Sequence, residues 1–348
     1  MSKKTVIEQD KEYILDLFIT YPPIDEIISY IEKCLLDSKD RNQPLCLLIT
    51  GDTGSGKSEI GKQCAKLFPR NDEGIISKVP FLYSQVFGSS KPKDLSSKLL
   101  HDLGDPAYNR GTDKDLRQRA IDMLSDENIG NKGVYLDEFH SLIDTDNQSV
   151  IFSTGEALKD IIIGSKSTFI AAGMPWSTVI IETNRQLARR FKKIINIPFI
   201  DIRNKDEYDI FTDILKNCDE YLPFKKNFLS ANHDIIIKMF ACCAGRTGDL
   251  FDIIKWAAIE AFSNNQKSIT LENLASAFDV EGDSFLISDN PFTTSNNNNL
   301  KIKILTEQSK WLKEEERIRG EKRIRDAIFE NFSAAEILSP SKKTRKKK

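Results

Sequence analysis

The stretch Gly51-Asp52-Thr53-Gly54-Ser55-Gly56-Lys57-Ser58 decides the fold. It fits G-x-x-x-x-G-K-[ST], follows the apolar run 45–50 and precedes a helical pattern over 59–68, the context in which this spacing builds a phosphate-binding loop. Glycines let the backbone curl so that successive N–H groups point inward at phosphate oxygens, and the N-terminus of the next helix favours negative charge. Gly51, Asp52, Thr53, Gly54, Ser55 and Gly56 are expected to cradle the phosphates. Lys57 would face the β and γ oxygens, and the Ser58 hydroxyl would ligate Mg²⁺. A nucleoside triphosphate is the expected ligand. Asn204-Lys205-Asp206-Glu207 departs from a guanine-reading N-K-x-D at its fourth place, which argues against GTP.

Outward from the loop, short apolar runs at 79–83, 134–136, 168–172 and 194–200 alternate with helical stretches. With 45–50 they predict an α/β fold, a five-stranded parallel sheet with helices on both faces. The third run ends in Asp137-Glu138, at the sheet edge where open α/β folds bind ligands. Asp137 is expected to hold Mg²⁺ through water and Glu138 to polarise the attacking water, a pairing that points to hydrolysis rather than simple phosphate transfer. Arg189 and Arg190 precede the fifth strand, on a surface away from the chain's own phosphates. The expectation is an arginine finger acting on a neighbour's γ-phosphate, Arg190 first and Arg189 second.

Beyond 203 the pattern is helical only, at 206–217, 234–242, 248–262 and 270–278. This predicts an α/β domain over 41–203 and a small α-helical lid over 204–289, with Arg246 touching nucleotide from the lid. The fourth strand ends in Met174-Pro175-Trp176, leaving Ser177 as the nearest polar residue to report nucleotide state.

The chain has 348 residues, 40% hydrophobic, with 50 Lys+Arg against 52 Asp+Glu and a net charge of −2, which excludes wholesale disorder. No apolar run reaches the ~18 residues of a membrane span, and Met1-Ser2-Lys3-Lys4 opens no apolar signal, so a cytoplasmic location without membrane contact is expected. The six cysteines lack C-x-x-C spacing and read as reduced, buried thiols. Near-neutrality conceals an asymmetry. Residues 300–348 hold fifteen Lys/Arg and eight Asp/Glu, a balance of +7 that leaves −9 for the first 299.

The Asn-rich stretch 290–299 reads as an unpacked linker. After it, Ile304, Trp311 and Ile318, with Leu305 and Leu312 beside them, predict a charged helical tail over 300–348. Its apolar stripe would dock a partner and be dispensable for nucleotide chemistry. The terminal Lys342, Lys343, Arg345, Lys346, Lys347 and Lys348 would add a salt-sensitive attraction to DNA phosphates or an acidic patch.

The ordered set of motifs resembles the AAA+ ATPases that regulate transposition, the TniB and TnsC family. It comprises the loop, Val134-Tyr135-Leu136-Asp137-Glu138-Phe139-His140, Gly173-Met174-Pro175-Trp176, Gln186-Leu187-Ala188-Arg189-Arg190-Phe191 and Gly245-Arg246-Thr247-Gly248-Asp249-Leu250, and the likeness covers roughly 21–291. The resemblance implies a P-loop AAA+ domain using ATP and Mg²⁺. It also implies an N-terminal helical segment over 1–40 near the nucleotide, where Ile24 and Ile28 follow Tyr21-Pro22-Pro23 and approach the adenine. Departures are Ser55 and Ser58, where many members have Asn and Thr, and Met174, often Thr.

The resemblance further implies self-assembly into a ring or helical filament on double-stranded DNA, in the bacterial nucleoid when DNA-bound. A target-selection protein would supply the signal, and a transposase would be recruited, here through the C-terminal tail. The DNA-facing surface would be the insertion after the second strand, with Lys91, Lys93, Arg110, Thr112, Lys114, Arg117 and Arg119, Thr112 capping a helix whose first-turn N–H groups meet a phosphate. Two other readings share these motifs: a helicase loader or initiator-type AAA+ ATPase, and a scaffold whose assembly ATP gates while hydrolysis is incidental.

Overall fold

The structure, a computed structural model, describes residues 6–37, 44–74, 76–87, 91–143, 148–182, 184–225, 228–305 and 329–333. The five expected strands form: β1 (Cys46–Thr50), β2 (Phe81–Gln85), β3 (Gly133–Asp137), β4 (Thr168–Gly173) and β5 (Lys193–Asn196). They are parallel, in the order β2-β3-β4-β1-β5. β5 stops short of the expected 200. Ile197 still donates to the Thr50 carbonyl at 2.8 Å, but Pro198 has no N–H with which to continue the ladder.

A period of two assigns each buried side chain to a face. Leu47, Ile49, Tyr135, Ile170 and Ala172 join one apolar cluster, and Cys46, Leu48, Val134, Leu136, Phe169 and Ala171 join the other. α1 (Val6–Asp16) leads into α2 (Pro22–Asp37), which covers the first face with α3 (Lys57–Leu67). The second face carries α4 (Pro92–Leu103), α6 (Gln148–Ser165), α7 (Thr178–Glu182) and α8 (Arg185–Ala188), with α5 (Asp113–Ser125) against α4 and α6.

The lid is helical, as the pattern indicated: α9 (Lys205–Tyr221), α10 (His233–Cys243), α11 (Thr247–Ser263) and α12 (Leu271–Glu281). Asn204, Asn232 and Thr270 cap three of these helices through their side-chain oxygens. The lid core of Phe211, Phe240, Ile253 and Leu274 runs without a break into the cluster on the first sheet face, through Ile14 and Tyr21. α1 lies on α11, and the Tyr13 hydroxyl donates to the Tyr221 carbonyl at 2.9 Å.

Two expectations for the C-terminal part are corrected. The Asn-rich stretch is not an unpacked linker. Phe292 and Asn297 are buried, and the buried Lys238 ammonium donates to the Pro291 carbonyl at 2.6 Å and to that of Thr294. Asn290 and Asn297 donate to the Ala275 and Asp234 carbonyls at 2.9 and 3.1 Å, using the turn-forming amide that a purely compositional reading treats as solvated. Nor does a helix begin at 300. Lys301–Leu305 is a strand, β6, antiparallel to β7 (Phe329–Ser333), because Leu300, Ile302 and Ile304 bury one side while Lys301 faces water. Trp311 and Ile318, the rest of the expected stripe, lie outside the described residues, as does the basic end.

All six cysteines are free and buried. Among the described residues no helix is long and apolar enough to cross a membrane.

Candidate active site

A cleft of about 400 Å³ opens beyond the C-terminal end of β1. Phe18, Ile19, Tyr21 and Ile24 form its apolar side, the loop 53–58 its floor, and Thr247, Gly248, Asp249 and Phe251 of α11 its lid side. Gly54 and Gly56 have φ of 76° and 87°, the left-handed region that glycine adopts without strain. The lid rests on this loop: Gly248 N–H donates to the Gly54 carbonyl at 2.8 Å, and the Thr247 hydroxyl reaches the Ser55 carbonyl at 3.5 Å. Tyr21 joins Thr247 by a hydroxyl pair at 3.0 Å, so N-terminal segment, lid and loop share one polar chain.

Lys57 is buried at the loop mouth, its ammonium donating to the Gly51 and Asp52 carbonyls at 2.9 and 2.7 Å and to Ser55 Oγ at 3.2 Å. Burial pushes its pKa down, while Glu138, Asp52 and Asp137 oppose the shift. The buried Asp137 accepts from Glu138 N–H at 3.0 Å and from the Tyr83 hydroxyl at 2.6 Å. The Ser58 hydroxyl and the Asp137 carboxylate are oxygen ligands of the kind that suit Mg²⁺. Among the described residues no cluster of three or more His, Cys, Asp or Glu could hold a metal alone. A cation here would therefore complete its shell from phosphate and water.

Glu138 lines the cleft with φ of 56°, an uncommon conformation for a side-chain-bearing residue that costs of order 1–3 kcal/mol. It aims the carboxylate beyond the strand end, with Oε2 at 3.4 Å from His140 Nε2. His140 stands edge-on to Trp176 at 5.7 Å.

The other expected site residues divide. Ile24 lines the cleft, whereas Ile28 lines a neighbouring hollow with Tyr13 and Leu67. Met174 borders the cleft, its sulfur accepting from the Thr53 hydroxyl at 4.0 Å, but Ser177 is buried against Gly173 and does not. Arg246 also lies off the cleft wall, turned to Asp283 and Asp249 at 3.2 and 3.5 Å and over the Phe199 ring. Arg190 accepts at its carbonyl from Cys46 N–H at 3.2 Å, at the start of β1, whereas the loop follows the end of β1. A five-residue strand, roughly 17 Å, separates the two. Arg189 is exposed and Arg190 half-buried, with one guanidinium nitrogen lacking a hydrogen-bond partner among the described residues.

On the insertion, Thr112 caps α5 but its polar groups are taken. Asp115 N–H donates to its hydroxyl at 3.3 Å, Asp115 Oδ2 accepts Thr112 N–H at 2.9 Å, and Asp113 adds a second acid to that turn. The cap thus takes the Thr112 and Asp115 N–H groups, and the two carboxylates set negative charge at that turn. Arg117 pairs with Asp113 and Asp160, and Arg119 with Asp105. Lys91, Lys93, Arg110 and Lys114 stay exposed.

Sequence reading missed Tyr83, Asp249 and the Tyr21–Thr247 contact. Tyr83 sits at the end of an expected strand, beside the one that delivers Asp137, and that adjacency was its only signal.

The fold and this cleft define a P-loop ATPase of the AAA+ class. The family model described as "Bacterial TniB protein" matches residues 12–199, more than half of the chain, and the chain belongs to the TniB family. Among solved structures, Cdc6p from Pyrobaculum aerophilum is similar at 14% identity with a TM-score of 0.51, over 75% of this chain and 68% of that one. The ORC2 protein of Aeropyrum pernix, solved as ADPNP-ADP complexes, gives 14% and 0.49 over 73% and 66%. RuvB of Thermotoga maritima, a Holliday junction branch migration motor, gives 14% and 0.43 over 78% and 71%. The chain thus spans about two thirds of the length of the first two. No curated protein matches it in sequence.

Proposed function

We propose that this chain is an ATP-driven regulator of DNA transposition. ATP-bound copies assemble on double-stranded DNA, take the choice of site from a target-selection protein and pass it to a transposase. The observation that supports this best is the TniB match over 12–199, in a chain whose cleft is lined by Lys57, Ser58 and Glu138, with the buried Asp137 carboxylate accepting Glu138 N–H beside it.

Loop N–H groups and Lys57 bind the β and γ phosphates. Ser58 and, through water, Asp137 would hold Mg²⁺, which when bound offsets charge between those oxygens. Glu138 draws the proton from the water that attacks the γ-phosphorus, and ADP leaves. Arg190, or Arg189 beside it, completes a neighbour's site. Lys91, Lys93, Arg110 and Lys114 supply phosphate contacts without base information, as suits a protein whose target is chosen by another.

Two variants test the assignment. Lys57→Ala should lose ATP binding and ATP-dependent assembly on DNA, whereas Glu138→Gln should bind ATP, assemble and hydrolyse about a hundredfold more slowly or worse. Wild-type turnover in the Gln variant would remove Glu138 from the reaction. Turnover that does not respond to duplex DNA would favour the ATP-gated scaffold.

A further inference from the structure

We propose that Tyr83 is a positioning residue for the metal half of this site, a reading that rests on the ATP-hydrolysing function above. Its phenol donates to Asp137 Oδ2 at 2.6 Å and so holds one of the two groups assigned to Mg²⁺. Asp137, with Oδ1 fixed by Glu138 N–H at 3.0 Å and Oδ2 by Tyr83, cannot rotate its carboxylate without breaking one of them.

The surroundings of Tyr83 make this geometry reproducible. β2–β3 pairing sets Tyr83 opposite Tyr135, two residues before Asp137, so all three side chains leave the same sheet face. The two rings stack at 5.8 Å with 19° between their planes. The Tyr135 hydroxyl donates to the Lys57 carbonyl at 2.6 Å, tying the ring pair to the first turn of α3. α3 crosses the rings at Gly61, where a Cβ would lie 2.6 Å from Tyr135 and 2.8 Å from Tyr83. That close passage accounts for a glycine inside a helix, where glycine is otherwise unfavourable.

The test uses the full chain and a fluorescent ATP analogue, with binding measured in Mg²⁺ and in EDTA for the wild type, Tyr83→Phe and Tyr135→Phe. Phenylalanine keeps the ring stack and removes one hydroxyl, and thermal melting checks that each variant folds. Tyr83→Phe should bind as the wild type does in EDTA but lose about tenfold of the affinity gained from Mg²⁺. The Mg²⁺ concentration for half-maximal hydrolysis should rise by a similar factor. Tyr135→Phe, whose hydroxyl touches a backbone carbonyl and no metal candidate, should keep the wild-type gain. An unchanged Mg²⁺ gain in Tyr83→Phe, or an equal loss in both buffers, overturns the positioning role. A wild-type chain that binds no analogue in either buffer overturns instead the function on which the role rests.

Discussion

Asp249 lies so close to the phosphate loop that a side chain at Gly54 would run into its carboxylate. Burial raises its pKa to about 6, Arg246 opposes the shift, and Asp252 and Asp283 add to it. The folded chain therefore binds this proton more tightly than the unfolded one. The resulting stabilisation is complete below the ordinary carboxylate range near pH 4 and is lost as pH rises through about 6. A shift of this size corresponds to about 3 kcal/mol. Asp249→Asn should gain stability relative to the wild type as pH rises from 4 to 8. Chemical denaturation of both proteins across that range checks it, and a constant difference would exclude the linkage. Lys57, Asp137 and Glu138 were legible in the sequence because phosphate chemistry fixes residue type and spacing together. Asp249 and Tyr83 were not, since sheet register and a lid some 190 residues downstream bring them to the loop.

At the scale of elements, the short apolar runs gave the five strands because a sheet covered on both faces leaves its strands little polarity. The tail misled because one window holds two periods. Ile304 and Trp311 continue a sevenfold spacing, but Leu300, Ile302 and Ile304 repeat every two residues and end in a buried strand. α8 and the turn after it lie at the start of β1, at the other end of that strand from the chain's own loop. If Arg190 acts on a neighbour, mixing Arg190→Ala with Lys57→Ala subunits should restore part of the ATPase activity lost by each alone, since one sound interface can be built from the two. Arg189→Ala belongs beside it, because Arg189 is the more exposed of the pair. No recovery at any mixing ratio would place the finger elsewhere.

For the molecule as a whole, the lid, α1 and the start of the tail share one apolar cluster, so a cut after Asn299, where the tail was expected to begin, does not separate engine from appendage. It removes buried Leu300, Ile302 and Ile304, each worth about 1.5–3 kcal/mol of burial, and should lower the melting temperature by about 10 °C or more. A cut after Ser333 spares both strands and removes the basic end. It should leave melting and basal ATPase unchanged while weakening binding to DNA at low salt. Equal melting of the two truncated chains would show that β6 adds nothing to the lid. The opposite placement of loop and arginine across β1 also sets the arithmetic of any assembly that uses both. Copies joined head to tail present a loop at one end of the row and an arginine at the other. An open row of n copies then holds n − 1 complete sites, and a closed ring holds n. Turnover per subunit should climb with row length toward a plateau in the first case and step directly to it on closure in the second, so a rate measured against protein concentration distinguishes the two shapes.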